Sequence, residues 1–222
     1  MAEMDGPRFG PKAGGAARQL VVLCHGVGAD GNDLIDLAPA WAQALPEAAF
    51  VAPHAPFAYD MAPFGRQWFS LRDRNPAVLA AGVREAARLL DGFLDAERAR
   101  FGLAAAKCAL MGFSQGAMTA LLAGLGRADP PRAILAYSGR LVAPPERVPG
   151  APAPEVLLVH GEADEVVPVA NSRAAEKTLA ALGVPVEAIF RPRLGHGIDE
   201  VGLSSGALFL QRAFSRDTEA KR

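Results

Sequence analysis

Residues 109–120 read ALMGFSQGAMTA, an apolar run that is interrupted by two polar side chains, Ser114 and Gln115. Burial of a polar group without a partner costs about 1–3 kcal/mol, so a serine in such a run is either well hydrogen bonded or functional. The segment Gly112–Gly116 has the pattern G-x-S-x-G, in which small neighbours leave room for a sharp strand-to-helix turn. We therefore interpret Ser114 as a candidate nucleophile on such a turn.

Strand-like and helix-like segments alternate on both sides of this turn. Apolar runs predict strands at Gln19–His25, Ala49–Ala52, Ala106–Phe113, Arg132–Tyr137, Glu155–His160 and Val186–Arg191. Helical spacing predicts helices at Asn32–Leu45 (capped by Asn32 or Asp33), Pro76–Arg100 (capped by Asn75), Ser114–Leu125, Pro168–Leu182 and Leu203–Phe214. The alternation indicates an α/β protein with a mostly parallel sheet and helices on both faces. Residues 53–75 and 138–154 interrupt it, and we expect loops there.

The length and composition fit one globular domain. The chain has 222 residues, of which half are hydrophobic, and an α/β domain of this size is common. We expect a single domain over residues 1–222, with a Gly/Pro-rich N-terminal segment at 1–17 and a polar tail at 216–222.

Charge and cysteine usage narrow the partners and the compartment. The chain has 23 basic and 24 acidic residues and no basic block, so we expect neither nucleic acid nor an anionic membrane as a partner. Residues 108–126 have the length of a membrane span, but their glycines and polar residues favour a strand–turn–helix. Residues 1–17 lack the apolar segment of a secretory signal. Cys24 and Cys108 each lie in an apolar run, which predicts buried, reduced thiols in a cytoplasmic protein.

A serine nucleophile needs a histidine base and an acid that orients it, and in this chain order the acid precedes the histidine. Of the four histidines, only His196 follows both Ser114 and a suitable acidic loop. That loop, residues 160–168, offers three carboxylates, Glu162, Asp164 and Glu165. The shorter aspartate side chain favours Asp164. A histidine base also predicts a rate that falls below about pH 6.5–7.

Acyl transfer also requires donors for the developing oxyanion. The backbone N–H of Gln115 follows the nucleophile at a helix N-terminus, and the Val27 N–H lies in the loop after the first predicted strand. The same loop supports a rival interpretation, because Gly26–Gly31 reads G-x-G-x-x-G, as in dinucleotide-binding turns. A dinucleotide site of this kind needs an acidic residue at the end of the next strand, and the sequence has none there. The dinucleotide interpretation also leaves Ser114 unexplained.

Six ordered motifs together resemble the phospholipase/carboxylesterase family of α/β-hydrolases, which includes acyl-protein thioesterases and small bacterial carboxylesterases. They are LVVLCHGVGADGNDLIDLAP, APHAP, RQWFS, GFSQG, HGEADEVVP and LGHGI, within residues 19–214. The resemblance implies an α/β-hydrolase fold without a large lid domain. It puts the nucleophile, acid and base at Ser114, Asp164 and His196 and the oxyanion donors at Val27 and Gln115. It puts substrate-lining residues at Arg66, Trp68 and Phe69, although Trp68 would also suit a core aromatic.

The expected activity is hydrolysis of small to medium carboxylic esters through an acyl-enzyme, with no metal or organic cofactor and a small-molecule ester as partner. Two features favour this over the thioesterase branch: Val27 where that branch usually has leucine, and DMAPFG in the loop before RQWFS. Action on long acyl chains, as an acyl-protein thioesterase or lysophospholipase, stays an alternative. A non-catalytic binding protein of the same fold is another, and a homodimer is left open.

Overall fold

The structure, a computed structural model, describes residues 4–219. The first three residues of the expected N-terminal segment and the last three of the expected polar tail lie outside this range. Within these described residues the main sheet has seven strands in the order β1-β3-β2-β6-β7-β8-β9. These strands are β1 (Arg8–Phe9), β2 (Gln19–Cys24), β3 (Ala48–Val51), β6 (Cys108–Phe113), β7 (Ala133–Tyr137), β8 (Glu155–Gly161) and β9 (Val186–Arg191). Two short strands, β4 (Phe57–Ala58) and β5 (Arg66–Gln67), form a separate hairpin.

All pairings in the main sheet are parallel except that of β1 with β3. The helices are α1 (Gly31–Ile35), α2 (Ala38–Ala44), α3 (Pro76–Phe101), α4 (Gln115–Leu125), α5 (Ala170–Ala181) and α6 (Glu200–Glu219). Apolar residues of α3, α4 and α5 pack in one core cluster, and those of α1, α2 and α6 pack in another with the alternate residues of the strands. Helices therefore cover both faces of the sheet, and the predicted α/β-hydrolase architecture is confirmed.

Strand order sets the position of the loops that follow the strands. The chain runs from β2 to β3 on one side and then returns to place β6 on the other side of β2. In parallel sheets, ligands bind at such a reversal, beyond the carboxyl ends of the strands. The loop after β2 and the turn after β6 meet there, and β7, β8 and β9 continue the same edge.

Local differences from the expected elements have simple causes. The predicted helix 32–45 is two helices, because Pro39 lacks an N–H and its ring disfavours the helical path before it. The cap of the first is Asp30, which accepts a hydrogen bond from the Asn32 N–H, and neither Asn32 nor Asp33 caps it. The last helix extends in both directions, from Glu200 to Glu219, so the described part of the expected polar tail is helical.

Two stretches expected to be irregular contain short strands. The hairpin β4–β5 lies in the predicted loop 53–75, and β1 lies in the N-terminal segment. Arg8 in β1 donates two hydrogen bonds to the buried Glu97 carboxylate of α3, at 3.2 and 2.6 Å, which fastens the edge strand. Isolated two-residue strands carry too little pattern to be recognised from sequence.

The remaining compositional expectations concern cysteines and membranes. Cys24 and Cys108 are buried and neither forms a disulfide. Burial raises the pKa of both thiols, that of Cys108 to about 12. None of the helices within residues 4–219 combines the length and apolar character needed to span a bilayer.

Candidate active site

Ser114 lies on a strained turn between β6 and α4. Its backbone angles are φ 53° and ψ −115°, which few residues other than glycine adopt. The flanking glycines are required by close packing: a Cβ on Gly112 would collide with the backbone of Gly116 and Ala117, and one on Gly116 would collide with the Cys24 carbonyl. The G-x-S-x-G pattern is thus the steric condition for this turn.

Ser114, His196 and Asp164 form a continuous hydrogen-bonded chain. His196 Nε2 lies 2.9 Å from Ser114 Oγ, and His196 Nδ1 lies 2.7 Å from Asp164 Oδ2. The carboxylate can only accept, so the ring proton lies on Nδ1 and Nε2 is free to accept the serine proton. The three residues follow the ends of three different strands, and the structure brings them together.

The Asp164 carboxylate is firmly held. Its Oδ1 accepts hydrogen bonds from the N–H groups of Val166 and Val167, at 2.9 and 2.8 Å. Burial alone would raise the pKa of Asp164, but the hydrogen bonds from His196, Val167 and Val166 outweigh burial and hold that pKa below its usual value. The acid therefore stays ionised where a histidine base is active.

The loop that carries His196 packs directly over the loop that carries Asp164. The Ala163 N–H donates to the Leu194 carbonyl at 3.0 Å. Gly161 permits this crossing, because a Cβ there would collide with the Leu194 and Gly195 carbonyls. The His196 ring also contacts the Phe113 ring, at 4.9 Å between centroids. The imidazole is therefore placed by backbone and ring contacts as well as by its two hydrogen bonds.

The expected oxyanion donors have free N–H groups beside the turn. Among the described residues, neither the Val27 nor the Gln115 amide donates to another protein group. The loop of Val27 is fixed by β5, since the Gly28 N–H donates to the Arg66 carbonyl and the Arg66 N–H to the Ala29 carbonyl, both at 2.8 Å. Val27, Ser114 and Gln115 all line the same cleft.

His25 fixes the other end of that loop. Burial lowers the pKa of His25, so its ring is neutral. Nε2 accepts a hydrogen bond from the Ala55 N–H at 3.0 Å, and Nδ1 therefore donates to the Gly26 carbonyl at 2.7 Å. Sequence reasoning missed this role, although the position of His25 directly after β2 was a signal.

The cleft has a volume of about 460 Å³, within the range of small-molecule sites. Its lining is mostly apolar and includes Val27, Leu71, Leu79, Met118, Val142 and Val166. The polar side chains of the lining include Ser114, Arg74, Arg140 and Asn171. This arrangement can hold an apolar acyl group against a hydroxyl nucleophile.

A sequence model of the family described as Phospholipase/Carboxylesterase matches residues 12–213. The match covers most of the chain and includes Ser114, Asp164 and His196. The chain belongs to the phospholipase/carboxylesterase family. The resemblance seen in the ordered motifs is thereby confirmed, and the protein is a member of a family of hydrolases.

Individual relatives of this phospholipase/carboxylesterase chain fall into two groups by name. The esterase YpfH of Escherichia coli K12 is 31% identical over 188 residues, covering 82% of this chain and 78% of the relative. Acyl-protein thioesterase 1 of Gibberella zeae is 26% identical, covering 94% and 97%. Among solved structures, the crystal structure of esterase PE8 is 41% identical with a TM-score of 0.88, covering 96% of this chain and all of that one.

The structure corrects the expectation for Arg66, Trp68 and Phe69. Trp68 is fully buried, and its indole N–H donates to the His25 carbonyl at 2.8 Å. Phe69 is also buried, while the Arg66 guanidinium donates to the Ala55 and Pro56 carbonyls at 2.7 and 2.9 Å. None of the three lines the cleft beside Ser114. They support the loop of Val27 instead, because the Arg66 guanidinium and the Trp68 indole are hydrogen bonded to backbone carbonyls of the neighbouring segments.

The side chain of Gln115 joins the segment that carries Trp68 and Phe69 to the nucleophile turn. Its Oε1 accepts from the backbone N–H of Trp68 and its Nε2 donates to the Phe69 carbonyl, both at 2.7 Å. These two hydrogen bonds tie down the turn that carries Ser114.

The glycine-rich loop 26–31 does not serve a dinucleotide in this fold. Two of the amides that would cradle a pyrophosphate are already used: Gly28 donates to the Arg66 carbonyl at 2.8 Å and Gly31 to His54 Nδ1 at 3.1 Å. A Cβ on Gly31 would collide with the Ala52 carbonyl, so close packing explains this glycine.

Proposed function

We propose that the protein is a serine carboxylesterase that hydrolyses small to medium carboxylic esters through an acyl-enzyme. The observation that carries the proposal is the chain of contacts from Asp164 through His196 to Ser114, at 2.7 and 2.9 Å. Family membership supports the reaction class, and the free Val27 and Gln115 amides support the assignment of the oxyanion donors.

In the first step, His196 Nε2 takes the Ser114 proton as Oγ attacks the acyl carbon. The Val27 and Gln115 N–H groups donate to the oxyanion, and Asp164 stabilises the imidazolium. The alcohol leaves with the proton held by His196, and Ser114 retains the acyl group. A water molecule, deprotonated by His196, then attacks the acyl carbon and releases the acid and the free serine.

A cleft of about 460 Å³ with a mostly apolar lining supports a small or medium acyl group. The relatives named acyl-protein thioesterase, such as that of Gibberella zeae, favour a second candidate function, hydrolysis of long-chain thioesters. The two functions share the same residues and differ in chain length and leaving group.

The test is hydrolysis of p-nitrophenyl esters from the acetate to the palmitate, with Ser114→Ala as the comparison. We expect the activity to peak at short or medium chains and to drop by about 10⁶-fold in the variant, as for loss of a serine nucleophile. A fluorophosphonate should label the unmodified protein and fail to label the variant. A peak at the palmitate, or preference for palmitoyl thioesters, would support the second function. A folded protein with neither turnover nor labelling would be a binding protein.

A further inference from the structure

The cleft beside Ser114 carries two arginines for which ester hydrolysis itself has no use. Arg74, which is exposed, and Arg140, which is half-buried, both line it. Within the part of the chain that the structure describes, neither guanidinium has a hydrogen-bonding or ionic partner. Each keeps five N–H donors in a planar arrangement that matches carboxylate and phosphate oxygens.

Arginines elsewhere on this surface are commonly paired with carboxylates. Examples are Arg98 with Asp129 at 2.8 Å, Arg127 with Asp91 at 2.6 Å, and Arg212 with Glu187 at 2.8 Å. Neither of the two cleft arginines has such a carboxylate partner among the described residues, and both lie where a substrate would bind.

The backbone that carries each arginine is well anchored. Gly139, next to Arg140, packs against Ala117 of α4, and its carbonyl accepts a hydrogen bond from the Ser172 hydroxyl at 3.1 Å. The Asp73 carboxylate accepts from the Asn75 N–H at 2.8 Å, which fixes the turn around Arg74. The backbone positions from which the two arginines reach the cleft are therefore set by the fold.

No carboxylate in the described lining of the cleft offsets these charges. Asp73 and Glu165, the acids nearest to its lining residues in sequence, are not part of the wall, and Asp164 is engaged by His196. Pro76, Gln115 and Asn171, which do line it, lie in the first turns of α3, α4 and α5. Helix N-termini add positive potential, so the cleft is positive in a chain whose net charge is −1.

We propose that the natural substrate is an ester bearing a second, anionic group, a carboxylate or a phosphate, that Arg74 and Arg140 bind. Apolar lining residues such as Leu79 and Met118 would hold the hydrocarbon part of the same molecule. This inference rests on the proposed hydrolysis at Ser114 and specifies its substrate class.

The test uses two pairs of esters, and the members of each pair differ in one anionic group. Ethyl hexanoate and monoethyl adipate have acyl chains of the same length, and only the adipate ester has a carboxylate at the far end. The pair 1-hexanoylglycerol and 1-hexanoylglycerol 3-phosphate places a phosphate on the alcohol side. For each compound, kcat/KM is measured by chromatography of the released acid, at low salt and at about 0.3 M salt.

We expect the anionic member of at least one pair to have the higher kcat/KM, by about tenfold, and the preference to shrink at high salt. Arg140→Gln and Arg74→Gln should each lower the ratio of anionic to neutral turnover by about tenfold. Arg84→Gln is the matched control, since Arg84 pairs with Glu146 and lies outside this cleft. A preference within the first pair indicates a carboxylate at the far end of the acyl chain. A preference within the second pair indicates a phosphate on the alcohol side.

The outcomes separate this inference from the function on which it rests. Hydrolysis of the neutral esters with no preference for either anion, or with ratios unchanged in both arginine variants, would overturn the inference and leave the esterase proposal intact. Failure to hydrolyse any of the four compounds would overturn both for this substrate range. A preference that disappears equally in Arg84→Gln would also overturn it, because the effect would then be one of overall charge.

Discussion

Two histidines contact the same oxygen of Asp164, and only one of them reaches the serine. His196 Nδ1 lies 2.7 Å from Oδ2 and His160 Nε2 lies 3.1 Å from it. His196 is on a loop and its side chain is 18% exposed, whereas His160 is near the end of β8 and fully buried. The same residue type on the same carboxylate thus has different roles because one ring borders the cleft and the other lies in the core.

The surroundings of His160 explain what it does there. Its Nε2 faces two acceptors, Asp164 Oδ2 and the Val167 carbonyl at 2.7 Å, so that nitrogen carries a proton. Its Nδ1 lies 2.6 Å from the Ser172 hydroxyl, which in turn reaches the Gly139 carbonyl at 3.1 Å. His160 therefore links the Val167 carbonyl, on the loop of Asp164, to Ser172 of α5, and its ring lies beside the carboxylate on the side away from Ser114.

The largest effect on activity is expected from a change to Asp164, whose carboxylate both histidines contact. Asp164→Asn should lower kcat/KM by about 10⁴-fold, because an amide can present its N–H to the imidazole and favour the wrong tautomer. Glu162→Gln is a matched control on the same loop, since Glu162 pairs with Arg173 at the surface. An equal loss in the control, measured on the same ester, would reassign the acid.

The loop that carries Asp164 and Glu162 also shows which site residues the sequence alone could not identify. Chain order and the G-x-S-x-G pattern predicted Ser114 and His196, because each lies on a loop after a recognisable strand. Three carboxylates on one loop could not be separated by order, and Asp164 was favoured by its shorter side chain and, above all, by the resemblance. The structure distinguishes them by direction: Asp164 is buried beneath His196, and Glu162 is exposed on the far side of the turn.

His160 shows what local pattern could not supply. A histidine at the end of an apolar strand gives no sign of its partners, and these lie 7 residues away at Val167 and 12 residues away at Ser172, which itself bonds to the Gly139 carbonyl. The broken helix at residues 32–45 is a different case, since Pro39 was visible and the helical spacing was given more weight than the local rule. Most strands were predicted to within a residue or two because buried parallel strands read as continuous apolar runs.

The second expected effect tests whether His160 acts through Asp164. His160→Phe keeps a ring but removes both nitrogens, and we expect kcat to fall by about 10- to 100-fold because Asp164 loses its second contact and shifts. His160→Gln, which can still donate to the carboxylate, should recover most of this loss.

A pH profile separates positioning from general damage. Without the polar Nε2–H that lies 3.1 Å from Oδ2, the carboxylate holds the His196 imidazolium more strongly, so the acid limb of kcat/KM should move to higher pH in His160→Phe. Thermal unfolding of both variants checks that they fold. Equal losses in the two variants with unmoved pH profiles would show that His160 contributes only to core packing.

The smallest effect on activity is expected at Ser172, which contacts His160 and does not contact Asp164. Ser172→Ala removes the hydroxyl between His160 Nδ1 and the Gly139 carbonyl, and it touches neither Asp164 nor the cleft. We expect a fall of about two- to fivefold in kcat/KM on a neutral ester, since one hydrogen bond to the imidazole is lost and the ring is less well fixed. If Ser172 acts through His160, the double variant Ser172→Ala/His160→Gln should be little worse than His160→Gln alone. Independent, additive losses would instead place its effect on the Gly139 carbonyl, and the loss would then be larger for an anionic ester, because Arg140 follows that residue.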